Sequence, residues 1–301
     1  MLVEKKFTKE INFFFRNYKI YKKNYIDNNN TFRNKKILIA GGAGSIGSLL
    51  TIKLIKLNIK SITIIDNNEY SISKLKQKIF FNSKINIKLF SILNVKSLEK
   101  IFKQNKFDIV YNCAAIKHVD ICEENKDEAF RVNVKGNLNL LNFSIKYNVK
   151  KYIFISTDKA NKPVGIMGKT KLEAEKYVLK KKKKIHKIVL RFPNILRSSG
   201  SLVEILYNCV INNTIFFLRD KKLKRFFIFE NDACEFITRA TSLNLNNKIV
   251  LLNNIKETKI IDLIKFLKKK FNLRYCINKL PKYEKISEIY HIKKTNNQVI
   301  I

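Results

Sequence analysis

Short apolar runs rich in β-branched and aromatic residues recur along the first two thirds of the chain. Residues 36–40, 61–65, 85–90, 108–111, 151–155 and 187–192 have this character and read as buried strands. Between them, residues 48–57, 98–104, 128–147 and 168–178 carry apolar positions at helical spacing. Strand and helix in regular alternation predict an α/β fold, a doubly wound parallel sheet of the Rossmann type. Beyond Pro193 the order breaks into shorter pieces: helices near 202–211, 232–243, 260–271 and 284–290, and strands near 214–218, 225–229 and 248–252. The expected organisation is an N-terminal extension (1–34), a dinucleotide-binding domain (35–192) and a small C-terminal substrate-binding lobe (193–301). In the extension, Ile11, Phe14, Phe15, Tyr18 and Tyr21 predict an amphipathic helix over about 8–22, docked on its own domain or a partner subunit rather than on a membrane.

The turn after the first strand, Gly41-Gly42-Ala43-Gly44-Ser45-Ile46-Gly47, has the form of a phosphate-binding loop. Gly41, Gly44 and Gly47 permit a sharp bend, close approach of a pyrophosphate and tight helix packing, while the N–H groups at Ser45 and Ile46 open the helix toward an anion. Asp66 closes the second strand, where a carboxylate grips the adenosine ribose; an acid there repels a 2′-phosphate, so within NAD(P) the sequence favours NAD. Ala114 and Ala115, after the fourth strand, are small enough to pack against a dinucleotide.

The strand at 151–155 delivers Thr157, Asp158 and Lys159 at its carboxyl end, where open parallel sheets bind ligands. The next helix sets Met167 and Lys171 one turn apart on one face. Taken alone, Asp158 and Lys159 would read as a solvated turn pair; their place in the α/β order makes them candidate catalytic groups.

Composition changes this picture little. The net charge of +37, from 61 Lys+Arg against 24 Asp+Glu, would ordinarily suggest an anionic polymer or membrane. Yet Lys, Asn and Ile are abundant everywhere while Gly (8), Pro (3) and Trp (0) are scarce, the mark of an AT-rich coding bias. No base-reading motif accompanies the lysine run at 180–184, so nucleic acid is not an expected partner. Five widely spaced cysteines form no Cys-x-x-Cys pair, which argues against a disulfide framework or metal site. Without a signal peptide or a long apolar run, the expectation is a cytoplasmic protein with no transmembrane segment, peripheral membrane contact remaining open.

Taken together these residues resemble the extended short-chain dehydrogenase/reductases, and within them the polysaccharide-biosynthesis UDP-N-acetylglucosamine 4,6-dehydratases. The resemblance runs from about residue 35 to the C-terminus. It rests on the glycine turn, Ala114-Ala115-Ile116-Lys117-His118-Val119 with Glu123, Asn133-Val134-x-Gly136, Ser156-Thr157-Asp158-Lys159-Ala160, Met167-x-x-x-Lys171, and the segment from Arg191 through Ser201. It implies oxidation of the sugar at carbon 4 by NAD(P), loss of water across carbons 5 and 6, and return of hydride to carbon 6. In those roles Lys159 removes the carbon 5 proton, Asp158 donates to the departing hydroxyl, Thr157 hydrogen-bonds the oxygen on carbon 4, and Lys171 holds the nicotinamide ribose. Asn133 and Lys117 fall on the cofactor side, and Lys117, His118, Asn194, Ser201 and Arg225 on the nucleotide-sugar side. A homo-oligomer is implied by the resemblance alone.

The chain also departs from the pattern. Met167 stands where most of the superfamily has a tyrosine base, and a thioether cannot take a proton. Ile92 and Leu93 replace an acidic residue after the third strand, Pro193 and Arg197 replace glycines, and Pro281-Lys282-Tyr283-Glu284-Lys285 stands for an Arg-Pro-Gly-Glu-Lys segment. Two alternatives therefore stay open: a UDP-sugar 4-epimerase of the same superfamily, and a non-catalytic homologue that binds cofactor or nucleotide sugar.

Overall fold

The computed structural model describes residues 2–21, 30–79, 82–181, 185–290 and 298–301. In chain order the elements are α1 (Leu2–Phe14), β1 (Lys36–Ala40), α2 (Ser45–Ile55), β2 (Ser61–Asp66), α3 (Glu69–Ile79), β3 (Ile85–Leu89), α4 (Val95–Gln104), β4 (Ile109–Asn112), α5 (Val119–Glu124), α6 (Lys126–Phe130), α7 (Asn137–Lys146), β5 (Lys151–Thr157), α8 (Ile166–Lys180) and β6 (His186–Phe192). There follow β7 (Asn194–Ile195), α9 (Leu202–Ile211), β8 (Ile215–Leu218), β9 (Lys224–Ile228), α10 (Glu230–Ser242), β10 (Lys248–Leu251), β11 (Glu257–Lys259), α11 (Ile260–Phe271), β12 (Arg274–Ile277) and β13 (Gln298–Ile300).

The main sheet has eight parallel strands in the order β13-β10-β6-β5-β4-β1-β2-β3. Strand alternation splits its core in two. Ile37, Ile39, Ile62, Ile64, Ile153 and Ile155 face α2, α3 and α10, while Leu38, Ala40, Val110, Tyr152 and Phe154 face α4, α7 and α8. Strand order reverses between β1 and β4, so a crevice opens beyond their carboxyl ends, the place where such sheets bind nucleotides.

Beyond residue 192 the chain divides. β10, β13 and α10 complete the main sheet and its covering layer, crossing the boundary expected at 193. The smaller lobe comprises the sheet β11-β9-β7, the pair β12-β8, and the helices α9 and α11. α1 docks on this lobe through buried Phe7 and Ile11, joined by Phe15 just after it, with Phe7 packing on Tyr207 and Phe271.

Three expected helices differ. The helix placed at 8–22 occupies Leu2–Phe14, followed by a 3-10 turn at Arg16–Tyr18. It does not extend to residue 22, where the Ile20 and Tyr21 amides donate to the Asp232 carboxylate, at 3.0 and 3.2 Å, instead of to helix carbonyls. The helix placed at 128–147 is interrupted by a π turn at Arg131–Gly136, a widened turn that puts Asn133 against the loop after β4. The helix placed at 284–290 is absent, because the Lys285 and Ile286 carbonyls accept from the Arg225 guanidinium. The lysine run at 180–184 lies largely outside the described residues.

Candidate active site

β5 ends in Thr157 and passes the chain into a single 3-10 turn, Asp158–Ala160. Thr157 Oγ1 caps that turn, accepting from the Lys159 amide at 3.3 Å, and donates to Asp158 Oδ1 at 2.9 Å. Lys159 Nζ lies 3.0 Å from the same Oδ1 and 3.4 Å from Asn194 Oδ1. Asp158 is 1% exposed, and its Oδ2 has no hydrogen-bond partner among the described residues. Buried polar atoms are nearly always paired, so this oxygen is free to accept from a water or from a ligand hydroxyl.

The next helix is drawn tightly against this turn. A Cβ on Gly168 would stand 2.4 Å from the Lys159 carbonyl oxygen, and only glycine permits that approach. Glu123 Oε1 accepts from the Ile166 amide at 2.5 Å, satisfying one of the free N–H groups at the start of α8. Met167 is buried with Cys122 and Ala129, against Ile116, Val119 and Ile166.

Lys171 Nζ donates to the Ile155 carbonyl at 2.8 Å and sits 4.6 Å from the centre of the Phe154 ring. Burial pushes its pKa down to about 8, against weaker raising effects of Cys113, Glu175 and Cys122. Between that value and the ordinary lysine value of 10.5 the unfolded chain binds more protons than the folded one, so stability rises with pH there. The gain expected from pH 8 to 10.5 is roughly 3 kcal/mol. Urea unfolding across this range should show it, and Lys171→Met should remove it.

The glycine turn fits a dinucleotide. Gly41 adopts φ +69°, and a Cβ there would meet the Ala114 amide nitrogen at 2.6 Å. A Cβ on Gly44 would approach only the Gly41 carbonyl, at 3.4 Å, so that side of the turn is open. The first backbone bond at this end of α2 runs from Ser48 to Gly44, leaving the Ser45, Ile46 and Gly47 amides outside the helical ladder. Asp66 stands beside the turn, accepting from the Ala43 and Asn68 amides at 3.0 Å each. Ala114 and Ala115 are half-buried on the opposite side.

A strap crosses this crevice. The Ser199 amide donates to Ser45 Oγ at 3.0 Å, and its carbonyl accepts from Lys117 Nζ at 2.5 Å. Gly200, at φ +66°, packs so closely on the His118 ring that a Cβ would fall 1.9 Å from Cε1. Burial lowers the pKa of both Lys117 and His118, and Lys117 adds to the effect on His118.

Three residues expected to touch ligands are engaged by the protein's own groups. Asn133 exchanges two hydrogen bonds with the Ile116 backbone, at 2.9 and 3.0 Å, and donates to Thr170 Oγ1 at 3.1 Å, bracing the loop after β4 on α8. Ser201 caps α9, its Oγ accepting from the Glu204 amide at 3.3 Å. Arg225 is buried, bonded to Glu284 and to the carbonyls of Lys224, Lys285 and Ile286. Asn194, in contrast, reaches Lys159 while donating to the Phe226 carbonyl at 3.0 Å. The cap from Glu123 and the chain Tyr283–Asp120–Arg219–Glu284 were not foreseen, since their partners are far apart in sequence.

Among the described residues no helix is long and apolar enough to cross a membrane. Residues 37–292 match the family model described as polysaccharide biosynthesis protein. The chain is 31% identical to an uncharacterised membrane protein of Methanocaldococcus jannaschii, over 91% of this chain and 88% of that one. It is 29% identical to a UDP-N-acetylglucosamine 4,6-dehydratase (inverting) of Campylobacter jejuni, over 86% of this chain and 78% of the relative. Two longer curated relatives are spanned over only 40% and 41% of their length. Among solved structures, Pen from Bacillus thuringiensis superposes with a TM-score of 0.81 at 25% identity, covering 87% of this chain and 83% of that one. With an eight-stranded parallel sheet, a glycine turn at its switch point and a match over residues 37–292, the chain belongs to the polysaccharide biosynthesis protein family of extended short-chain dehydrogenase/reductases.

Proposed function

We propose that this protein is an NAD(P)-dependent nucleotide-sugar 4,6-dehydratase acting on a UDP-N-acetylhexosamine, with UDP-N-acetylglucosamine as the first candidate. The carrying observation is the Thr157–Asp158–Lys159 constellation, in which one buried carboxylate oxygen is shared by a hydroxyl and an amine while the other is unpaired among the described residues. The Campylobacter relative's activity supports the substrate class. Asp66 beside the glycine turn favours NAD over NADP.

The turn at 41–47 and the start of α2 would hold the pyrophosphate, Asp66 the adenosine ribose and Lys171 the nicotinamide ribose. Bound there, the nicotinamide supplies a hydride acceptor for carbon 4 and a donor for carbon 6. Met167 cannot accept the proton leaving the carbon 4 hydroxyl. Thr157 offers a path instead: its Oγ1 receives that proton and passes its own to Asp158 Oδ1, 2.9 Å away. Asp158 is then the acid for the next step. Lys159 removes the carbon 5 proton made acidic by the new ketone, and Asp158 delivers its proton to the carbon 6 hydroxyl, which leaves as water. Lys159 returns its proton to carbon 5 as hydride arrives at carbon 6.

A 4-epimerase requires no acid for a carbon 6 hydroxyl and no base for carbon 5, so the Asp158–Lys159 pair would have no task in it. Incubation with UDP-N-acetylglucosamine tests the reading: a 6-deoxy-4-keto sugar supports it, and UDP-N-acetylgalactosamine as product would replace it with epimerisation.

A further inference from the structure

The turn that carries Asp158 and Lys159 is anchored from behind by residues to which the sequence reading gave no role. Asn161, directly after it, is 4% exposed and bonded in three directions. Its amide donates to the Asp158 carbonyl at 3.0 Å, closing the turn. Its side-chain Nδ2 donates to the Ile289 carbonyl at 2.6 Å, and its own carbonyl accepts from Lys285 Nζ at 2.8 Å. Lys285 is in turn held by Glu288 Oε2 at 3.0 Å, and both side chains are largely buried.

The segment that provides these partners is itself fixed. Arg225 binds the carbonyls of Lys285 and Ile286, and Arg219 joins Glu284 to Asp120 at 2.5 and 2.6 Å. Tyr290 ties the far end to the main sheet, donating to the Arg191 carbonyl at 2.9 Å while accepting from the Leu252 amide at 3.0 Å. Gly165 lets the segment close on the loop before α8, since a Cβ there would stand 2.7 Å from the Tyr283 carbonyl oxygen. Lys285 and Glu288 also line the small cleft that reaches Lys159 and Met167.

We propose that Asn161, Lys285 and Glu288 form a clamp that positions the Asp158–Ala160 turn for elimination, making all three positioning residues for the reaction. The inference rests on the dehydratase reading above. A turn of three residues has too few internal bonds to fix two side chains by itself, and misplacement by about 1 Å can cost about 100-fold in rate. Carbon 4 oxidation depends on Thr157 and Lys171, which are anchored in β5 and α8, and on Asp158, whose carboxyl is held by the adjacent Thr157 hydroxyl at 2.9 Å. Elimination depends in addition on Lys159, which rides further along the clamped turn. Loosening the clamp should therefore slow the second step more than the first.

The test uses Lys285→Met and Lys285→Arg in the full chain. For Lys285→Met the expectation is a fall in kcat of about 100-fold, with sugar KM and cofactor affinity changed less than about threefold, and reduced cofactor accumulating before product. Lys285→Arg, which can still reach the Asn161 carbonyl, should recover most of the rate. If Lys285→Met fails to fold, Glu288→Gln carries the same test at smaller amplitude. Unchanged kcat, or a loss shared by cofactor binding with no reduced cofactor accumulating, would overturn the clamp. If the wild type dehydrates no UDP-sugar, the functional reading fails instead, and the clamp is decided by hydrogen exchange. Faster exchange at residues 157–162 in Lys285→Met, with an unchanged melting midpoint, would uphold it; identical exchange would refute it.

Discussion

Lys159→Ala and Asp158→Asn should each lower dehydration by at least about 100-fold while leaving the cofactor bound, the scale of losing a positioned acid or base. The two side chains meet at a single oxygen, Asp158 Oδ1, which also receives the Thr157 hydroxyl. Removing the amine takes away the base for carbon 5. Replacing the carboxyl by an amide keeps its shape but ends its ability to carry a proton from Thr157 to the leaving hydroxyl. The two variants should differ in what accumulates. Lys159→Ala still oxidises carbon 4 and should build up reduced cofactor, whereas Asp158→Asn loses the proton acceptor for that oxidation and should not. Rapid-mixing absorbance of the nicotinamide separates them. Wild-type turnover in either variant would remove that residue from the mechanism.

Gly47→Ala is expected to have an effect of comparable size on cofactor binding, through sterics alone. The added methyl would stand 2.3 Å from the Gly41 carbonyl oxygen and 2.6 Å from Gly42 Cα, both backbone atoms that cannot swing aside. Overpacking costs about 1–3 kcal/mol, and relieving it here must open the turn that faces the pyrophosphate. The variant should unfold at lower urea and lose NAD binding by about 100-fold or more. Gly44→Ala is the control. Its methyl meets a single atom at 3.4 Å, so the fold should persist, while the open side of the turn toward the phosphates becomes crowded. Calorimetric titration with NAD, beside urea unfolding, measures both effects. Equal stability and NAD affinity of Gly47→Ala and wild type would contradict this account of the turn.

The strands of the main sheet were legible because burial on both faces leaves a nearly unbroken apolar run in sequence, as in Ile37 to Ala40 and Tyr152 to Ile155. The Thr157–Asp158–Lys159 cluster was legible because it follows such a strand directly, so local order fixes where it lies. What escaped were features set by partners distant along the chain. Residues 284–290 carry a helical pattern, yet Arg225 captures their carbonyls from β9. Arg225, expected at the substrate, braces that segment, which its composition does not disclose. Asn161 appears in sequence as one more polar loop residue; its importance comes from Ile289 and Lys285, more than a hundred positions away. The helical spacing of the N-terminal aromatics was sound as far as Phe15, but at Ile20 and Tyr21 the backbone amides are taken by Asp232 in α10.

Proton NMR of UDP-N-acetylglucosamine incubated with the protein and NAD in deuterated water tests the central claim most directly. A new methyl signal at carbon 6, a ketone at carbon 4 and deuterium at carbon 5 are the predicted result, the last because the proton taken by Lys159 exchanges with solvent before it returns. A carbon 4 epimer without a methyl signal, or unchanged sugar in the presence of bound cofactor, would contradict it.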